Sequence, residues 1–195
     1  MARVKGLKDI HIAMLLTDTA LEATYETPTK LERSIKASLK PKSSQIKNYS
    51  DDSVEEVINS FDSVDVEIEV NTLSIESRAI LQGSKLVKGV LVEKASDIAP
   101  TVALGFKAKK SNKKYMYVWL YKGTFELCED TYETEEEKTK TQTAKLKATF
   151  YAREFDEAYK LITDEDAKDY VATTGTEWFT KVAEQPKETT LSKTI

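Results

Sequence analysis

Apolar and polar residues alternate with a period of two along most of this chain, the pattern of half-buried β-strands. The clearest case is residues 63–71, where Val64, Val66, Ile68 and Val70 oppose Asp65, Glu67, Glu69 and Asn71. Residues 8–16 form a second strand, and residues 31–39 alternate loosely and are expected to stop at Pro41, because proline cannot continue a central strand. Residues 101–109 set Val102, Leu104, Phe106 and Ala108 against Ala103, Gly105 and Lys107. A polar turn over 110–113 leads to 115–122, with Tyr115, Tyr117, Trp119 and Tyr121 on one face and Met116, Val118 and Leu120 on the other. A strand apolar on both faces belongs in the middle of a covered sheet, and its aromatic face is a candidate for contact with another subunit. A short strand is expected at 90–93, and further strands at 124–129 and 141–153. Two helices are predicted. One, over 73–82, has Asn71 or Thr72 as cap, an apolar stripe of Leu73, Ala79 and Ile80, and Gly83 at its end. The other, over 176–184, is anchored by Trp178 and Phe179.

Composition sharpens this picture at four points. With 195 residues, 40% hydrophobic and 32% charged, the chain is expected to form one domain over 1–185, with 186–195 as a flexible tail. It has no apolar run of the roughly 20 residues a membrane-spanning helix needs, and Asp9 and His11 interrupt the apolar N-terminal run too early for a signal peptide. The single cysteine, Cys128, excludes an internal disulfide framework and suits a reducing compartment. The net charge of −4 is unevenly spread: residues 1–47 carry nine basic and five acidic side chains, whereas 48–77 carry nine acidic and none basic. Carboxylates two apart on a strand repel one another, so the face of Asp65, Glu67 and Glu69 must look onto solvent or onto something the protein repels.

Little in the chain points to chemistry. One His and one Cys provide neither a zinc set nor a nucleophile pair, and His11, in mid-strand, reads as a core or interface residue. No phosphate-binding glycine loop or nucleophile elbow is present. Asp164, Glu165 and Asp166 lack the glycine and final glutamate of a calcium loop. The carboxylates along 62–69 lack surroundings that would drive two pKa values apart. Lys109, Lys110, Lys113 and Lys114 cluster at a hairpin tip beside tyrosines, a pattern that either grips nucleic acid or solubilises an exposed tip. The expectation is therefore a non-enzymatic protein without cofactor or metal.

The residues also carry a resemblance. GLKDIHIAMLLTD and ATYETPTKL near the start, IKASLKPKSS leading into YSDDS, and VDVEIEVNTLSIESRAILQG resemble the major tail proteins, or tail tube proteins, of long-tailed non-contractile phages and prophages of Gram-positive bacteria. So do GVLVEKASDIAPTVALGFKAKKSNKKYMYVWLYKGTF, the most specific block, and FYAREFDEAYKLITDED with WFTKVAE. The match spans residues 3–184 and is weakest in the early acidic loop and after Pro186; a separate immunoglobulin-like domain such as some relatives append is not expected within these residues.

The resemblance implies two packed antiparallel sheets, a β-sandwich or barrel of tail-tube type, with a flanking helix at 73–82, a long loop at 43–61 and a short C-terminal helix. It implies hexameric rings that stack into a tube for DNA ejection, made in the bacterial host cytoplasm and placed in the virion tail. The implied partners are further copies of the chain, the tape measure protein and double-stranded DNA in the lumen, and terminator and distal tail or baseplate proteins at the ends. On this reading Asp51, Asp52, Glu55 and Glu56 lie in a loop reaching the next ring, and Asp65, Glu67 and Glu69 face the lumen. Two alternatives stay open: the inner tube of a tailocin or contractile system, and a carbohydrate- or nucleic-acid-binding β-sandwich.

Overall fold

The computed structural model describes residues 2–50, 53–130 and 143–186. Strand makes up 52% and helix 9%, so the fold is mainly β. The order is β1 (Val4–Asp18), β2 (Ala23–Tyr25), β3 (Thr29–Lys30), β4 (Ser34–Ser50), β5 (Ser53–Val70), α1 (Ile75–Gln82), β6 (Lys85–Val87), β7 (Val90–Val92), β8 (Val102–Lys110), β9 (Tyr115–Phe125), β10 (Ala144–Tyr151), β11 (Lys160–Asp164) and α2 (Ala172–Glu177). One large antiparallel sheet runs β2-β1-β8-β9-β10-β5-β4, with β3 joining β1 and β11 joining β9; β6 and β7 form a small second sheet.

β9 turns this sheet into two layers. One of its edges pairs with β8, while the other pairs first with β11, at residues 116–120, and then with β10, at residues 122–125. Beyond that change of partner, β10 and β5 lay Leu146, Phe150, Val64, Val66 and Ile68 against Ile10, Ile12, Leu104, Val118 and Leu120 of the other layer. Gly123 sits where the change occurs; a Cβ there would come within 2.5 Å of the Phe150 ring. The sandwich is thus one continuous sheet folded over its own core, and it does not close into a barrel.

Four features depart from the sequence pattern. The excursion at 43–61 is a hairpin rather than a loop, because β4 and β5 stay paired from Ser34↔Val70 to Ser50↔Ser53. Pro41 does not end its strand but pairs with Val64; β4 has a strand partner on one side only among the described residues, so a missing N–H is tolerated. The C-terminal helix lies at Ala172–Glu177, earlier than the 176–184 expected, and β11 at Lys160–Asp164 is a strand that the pattern does not predict.

α1 sits close to where its periodicity puts it. Its cap is Ser74, whose hydroxyl accepts the Ser77 N–H at 3.2 Å, and Gly83 ends it at φ 68°. Of the predicted stripe Ala79 is buried and Leu73 packs against the core, whereas Ile80 is exposed and Leu81 takes its place as the buried anchor.

The aromatic face of β9 is covered within the chain, not by another subunit. Tyr117, Trp119 and Tyr121 pack with Ala13 and Ala103 beneath Trp178 and Val182 of the C-terminal segment. Trp119 Nε1 donates to the Trp178 carbonyl at 3.1 Å, and the Tyr121 hydroxyl donates to the Ala183 carbonyl at 2.9 Å.

Candidate assembly surfaces

The face of β5 that carries Asp65, Glu67 and Glu69 points away from the core, since the alternating Val64, Val66, Ile68 and Val70 are buried. Register then decides its charge. Across the sheet, Lys36 and Lys145 flank Glu69, Ser38 and Lys147 flank Glu67, and Lys40 and Thr149 flank Asp65. Lys42 reaches Asp65 at 2.8 Å, Lys40 reaches Glu67 at 3.3 Å, and Glu69 accepts from the Thr143 hydroxyl at 2.7 Å. Lys147 is bonded to Glu129. The acidic strand is therefore one line in a lattice of mixed charge: the repulsion between its own carboxylates is relieved by lysines on both neighbouring strands. A single strand's sequence does not reveal this, because those lysines lie some 30 and 80 positions away.

Below this face the β4–β5 hairpin runs on alone. β10 stops pairing with β5 at Val64, and Phe61 stacks on Tyr159 at 4.1 Å between ring centroids. From Phe61 to Ser53, at roughly 3.3 Å per residue, β5 continues about 25 Å with β4 as its one strand partner among the described residues. Glu55 and Glu56 lie on this arm; Asp51 and Asp52 lie outside the described residues.

The lysine-rich β8–β9 tip is partly spent inside the molecule. Lys110 is buried, and its ammonium bonds both Asp164 oxygens at 2.8 Å and also Asp166. Lys114 adds a 3.0 Å contact to Asp166, whose carboxyl is held well below its ordinary pKa by the hydrogen bond from Lys110 first and then by those from Lys114 and Asn112. Lys109 is half-buried and Lys113 is exposed with φ 71°. The Asp164–Glu165–Asp166 cluster thus serves as counter-charge to this hairpin. Glu165 accepts from the Tyr115 N–H and the Tyr117 hydroxyl, each at 2.9 Å.

Arg153 gave no signal in the sequence, where it reads as one more polar position on a strand face. Its side chain is 0% exposed, and its guanidinium lies 3.8 Å over the Tyr121 ring while forking onto Asp156 and Glu184. Burial works against its charge, but the bonds to Asp156 and Glu184 outweigh it and raise its pKa. Glu184 lies beyond the buried Trp178 and Val182, so Arg153 fastens the C-terminal segment over the aromatic face. Burial also pushes Tyr25, another neighbour of Arg153, up to about 12. His11 stacks on Phe179 at 4.2 Å, and burial holds its pKa below the ordinary value. Among the described residues no group of His, Cys, Asp or Glu is placed to hold a metal ion, and no helix is long and apolar enough to cross a membrane.

An open-edged sheet, a bare two-stranded arm and a charge-patterned outer face define a β-structured building block. A family model described as phage tail tube protein matches residues 39–182. The chain belongs to that family, whose role is a structural one in the phage tail. No curated protein matches the chain.

Proposed function

We propose that this protein closes into hexameric rings that stack into the tail tube, the conduit through which viral DNA is ejected. The observation that carries this is β4: a 17-residue strand with β5 on one side and no strand on the other among the described residues. An open edge of that length pairs with whatever strand it meets, and pairing with the next copy around a closed ring consumes every such edge. The rings enclose the tape measure protein and then double-stranded DNA, and terminator and distal tail proteins meet the ends. Assembly follows synthesis in the host cytoplasm.

In this reading the outer face of β4, β5 and β10, with Asp65, Glu67 and Glu69, lines the lumen. Its lattice of paired charge explains how DNA slides. Lysines already engaged by carboxylates offer few bare cations to a duplex that carries about one negative charge per 1.7 Å of axis. The test is the double variant Glu67→Lys with Glu69→Lys, which turns the face strongly basic. Electron micrographs should still show tubes, while DNA ejection into host cells slows or stops. Normal infection by that variant would remove the lumen assignment.

A further inference from the structure

The β6–β7 hairpin exposes an apolar face that none of the described residues covers. Its two-residue turn places Lys88 at φ 51° and Gly89 at φ 78°, and the register Lys85↔Val92, Leu86↔Leu91, Val87↔Val90 separates two faces. Leu86 and Leu91 are half-buried. Val87, Val90 and Val92, on the opposite face with Lys85, remain 61%, 61% and 49% exposed. A two-stranded sheet showing β-branched residues to water is marginal by itself and gains from a partner over that face. The rim carries three exposed lysines, Lys85, Lys88 and Lys94, and the two carboxylates beside it are engaged within the chain: Glu93 is bonded to Arg78, and Asp97 accepts from the Ser84 hydroxyl and the Lys94 N–H.

The arm of β4 and β5 has the complementary composition. In sequence, residues 46–58 carry Asp51, Asp52, Glu55 and Glu56 against one Lys47, with Ile46, Val54, Val57 and Ile58 among them. It too is a two-stranded ribbon with no other strand beside it among the described residues, so it also gains from a surface to lie on. We infer that the valine face of β6–β7, with its lysine rim, is the docking surface for the acidic arm of a second copy of this chain. The inference rests on the tube reading and names the surface on which one ring receives the arm of another. The apolar contact supplies adhesion, and the opposite charges set orientation and reject like-charged arrangements.

The test is a charge exchange at exposed positions, scored by sedimentation and negative-stain microscopy. Lys85→Glu with Lys88→Glu, and separately Glu55→Lys with Glu56→Lys, should each raise the protein concentration needed for tube formation about tenfold or more, as juxtaposed like charges do. Unchanged circular dichroism of the unassembled variants confirms that the fold is retained. Combining all four changes should restore tubes. A second measurement uses Val90→Cys with Glu55→Cys in a Cys128→Ser background: assembled tubes should form disulfide-linked chains under mild oxidation, and unassembled protein should not. Normal assembly by either charge variant, or no rescue in the combination, overturns the docking surface and leaves the tube reading standing. Failure of the unaltered protein to form rings or tubes overturns both.

Discussion

Arg153 and Trp178 together determine whether the C-terminal segment stays on the sheet. Removing the guanidinium in Arg153→Met takes the counter-charge from Asp156 and Glu184 and the cation from the Tyr121 ring. Breaking a buried ion pair by deleting one partner costs about 3 kcal/mol or more; partial exposure of the two carboxylates keeps the expectation near the low end. Urea unfolding should show that loss, with tryptophan emission shifting to the red as Trp119 becomes wet. Trp178 allows a finer distinction. Its Nε1 is buried with no hydrogen-bond partner among the described residues, while its ring fills the second apolar cluster. Trp178→Phe removes an unsatisfied donor and should cost under about 1.5 kcal/mol, whereas Trp178→Ala should cost about 3–5 kcal/mol. Equal losses in the two variants would show that the ring is not what holds the segment.

At the scale of elements, deleting residues 50–58 should shorten the arm without touching the core. The buried residues that β5 gives to the core, Val64, Val66, Ile68 and Val70, all follow that stretch. Thermal unfolding of the unassembled protein should be nearly unchanged, while stacking is lost and single rings or monomers remain. The strands that bury one face were legible from the sequence because a period of two admits little else; β5 over 63–70 and β10 are examples. What escaped were features set by residues far apart in the chain. Pro41 suggests an end unless one knows that its strand is an edge. The arm's alternation, Val54–Glu55–Glu56–Val57–Ile58, is too irregular to separate strand from loop, and only pairing with β4 makes it a strand. The tyrosine and tryptophan stripe on β9 was read as a surface for a neighbour because the covering residues, Trp178 and Val182, follow some sixty positions later in a segment of weak pattern.

For the molecule as a whole, distant segments are tied by carboxylates that the fold keeps ionised. Hydrogen bonds from Lys107 and Lys30 lower Asp9 to about 2. Asp156 is held down by Arg153, and Asp166 by Lys110. A carboxyl lowered on folding adds stability above its unfolded pKa and loses it as pH falls through the folded one. Melting temperature should therefore hold steady above about pH 5 and drop as pH approaches about 2. Asp9→Asn should flatten part of that drop. The same scale decides the candidate site: the carboxylates of β5 were visible in the sequence, but the charge of their face was not, because Lys36, Lys40, Lys42, Lys145 and Lys147 join it only through sheet order. The central claim is that the open edge of β4 is closed by a sister copy. A cryo-electron microscopy reconstruction of the assembled protein tests it most directly. The prediction is a ring in which β4 forms backbone hydrogen bonds with a strand of the adjacent copy while Asp65, Glu67 and Glu69 look into the channel. A ring whose β4 edge faces solvent, with those three side chains on the outer wall, would contradict it.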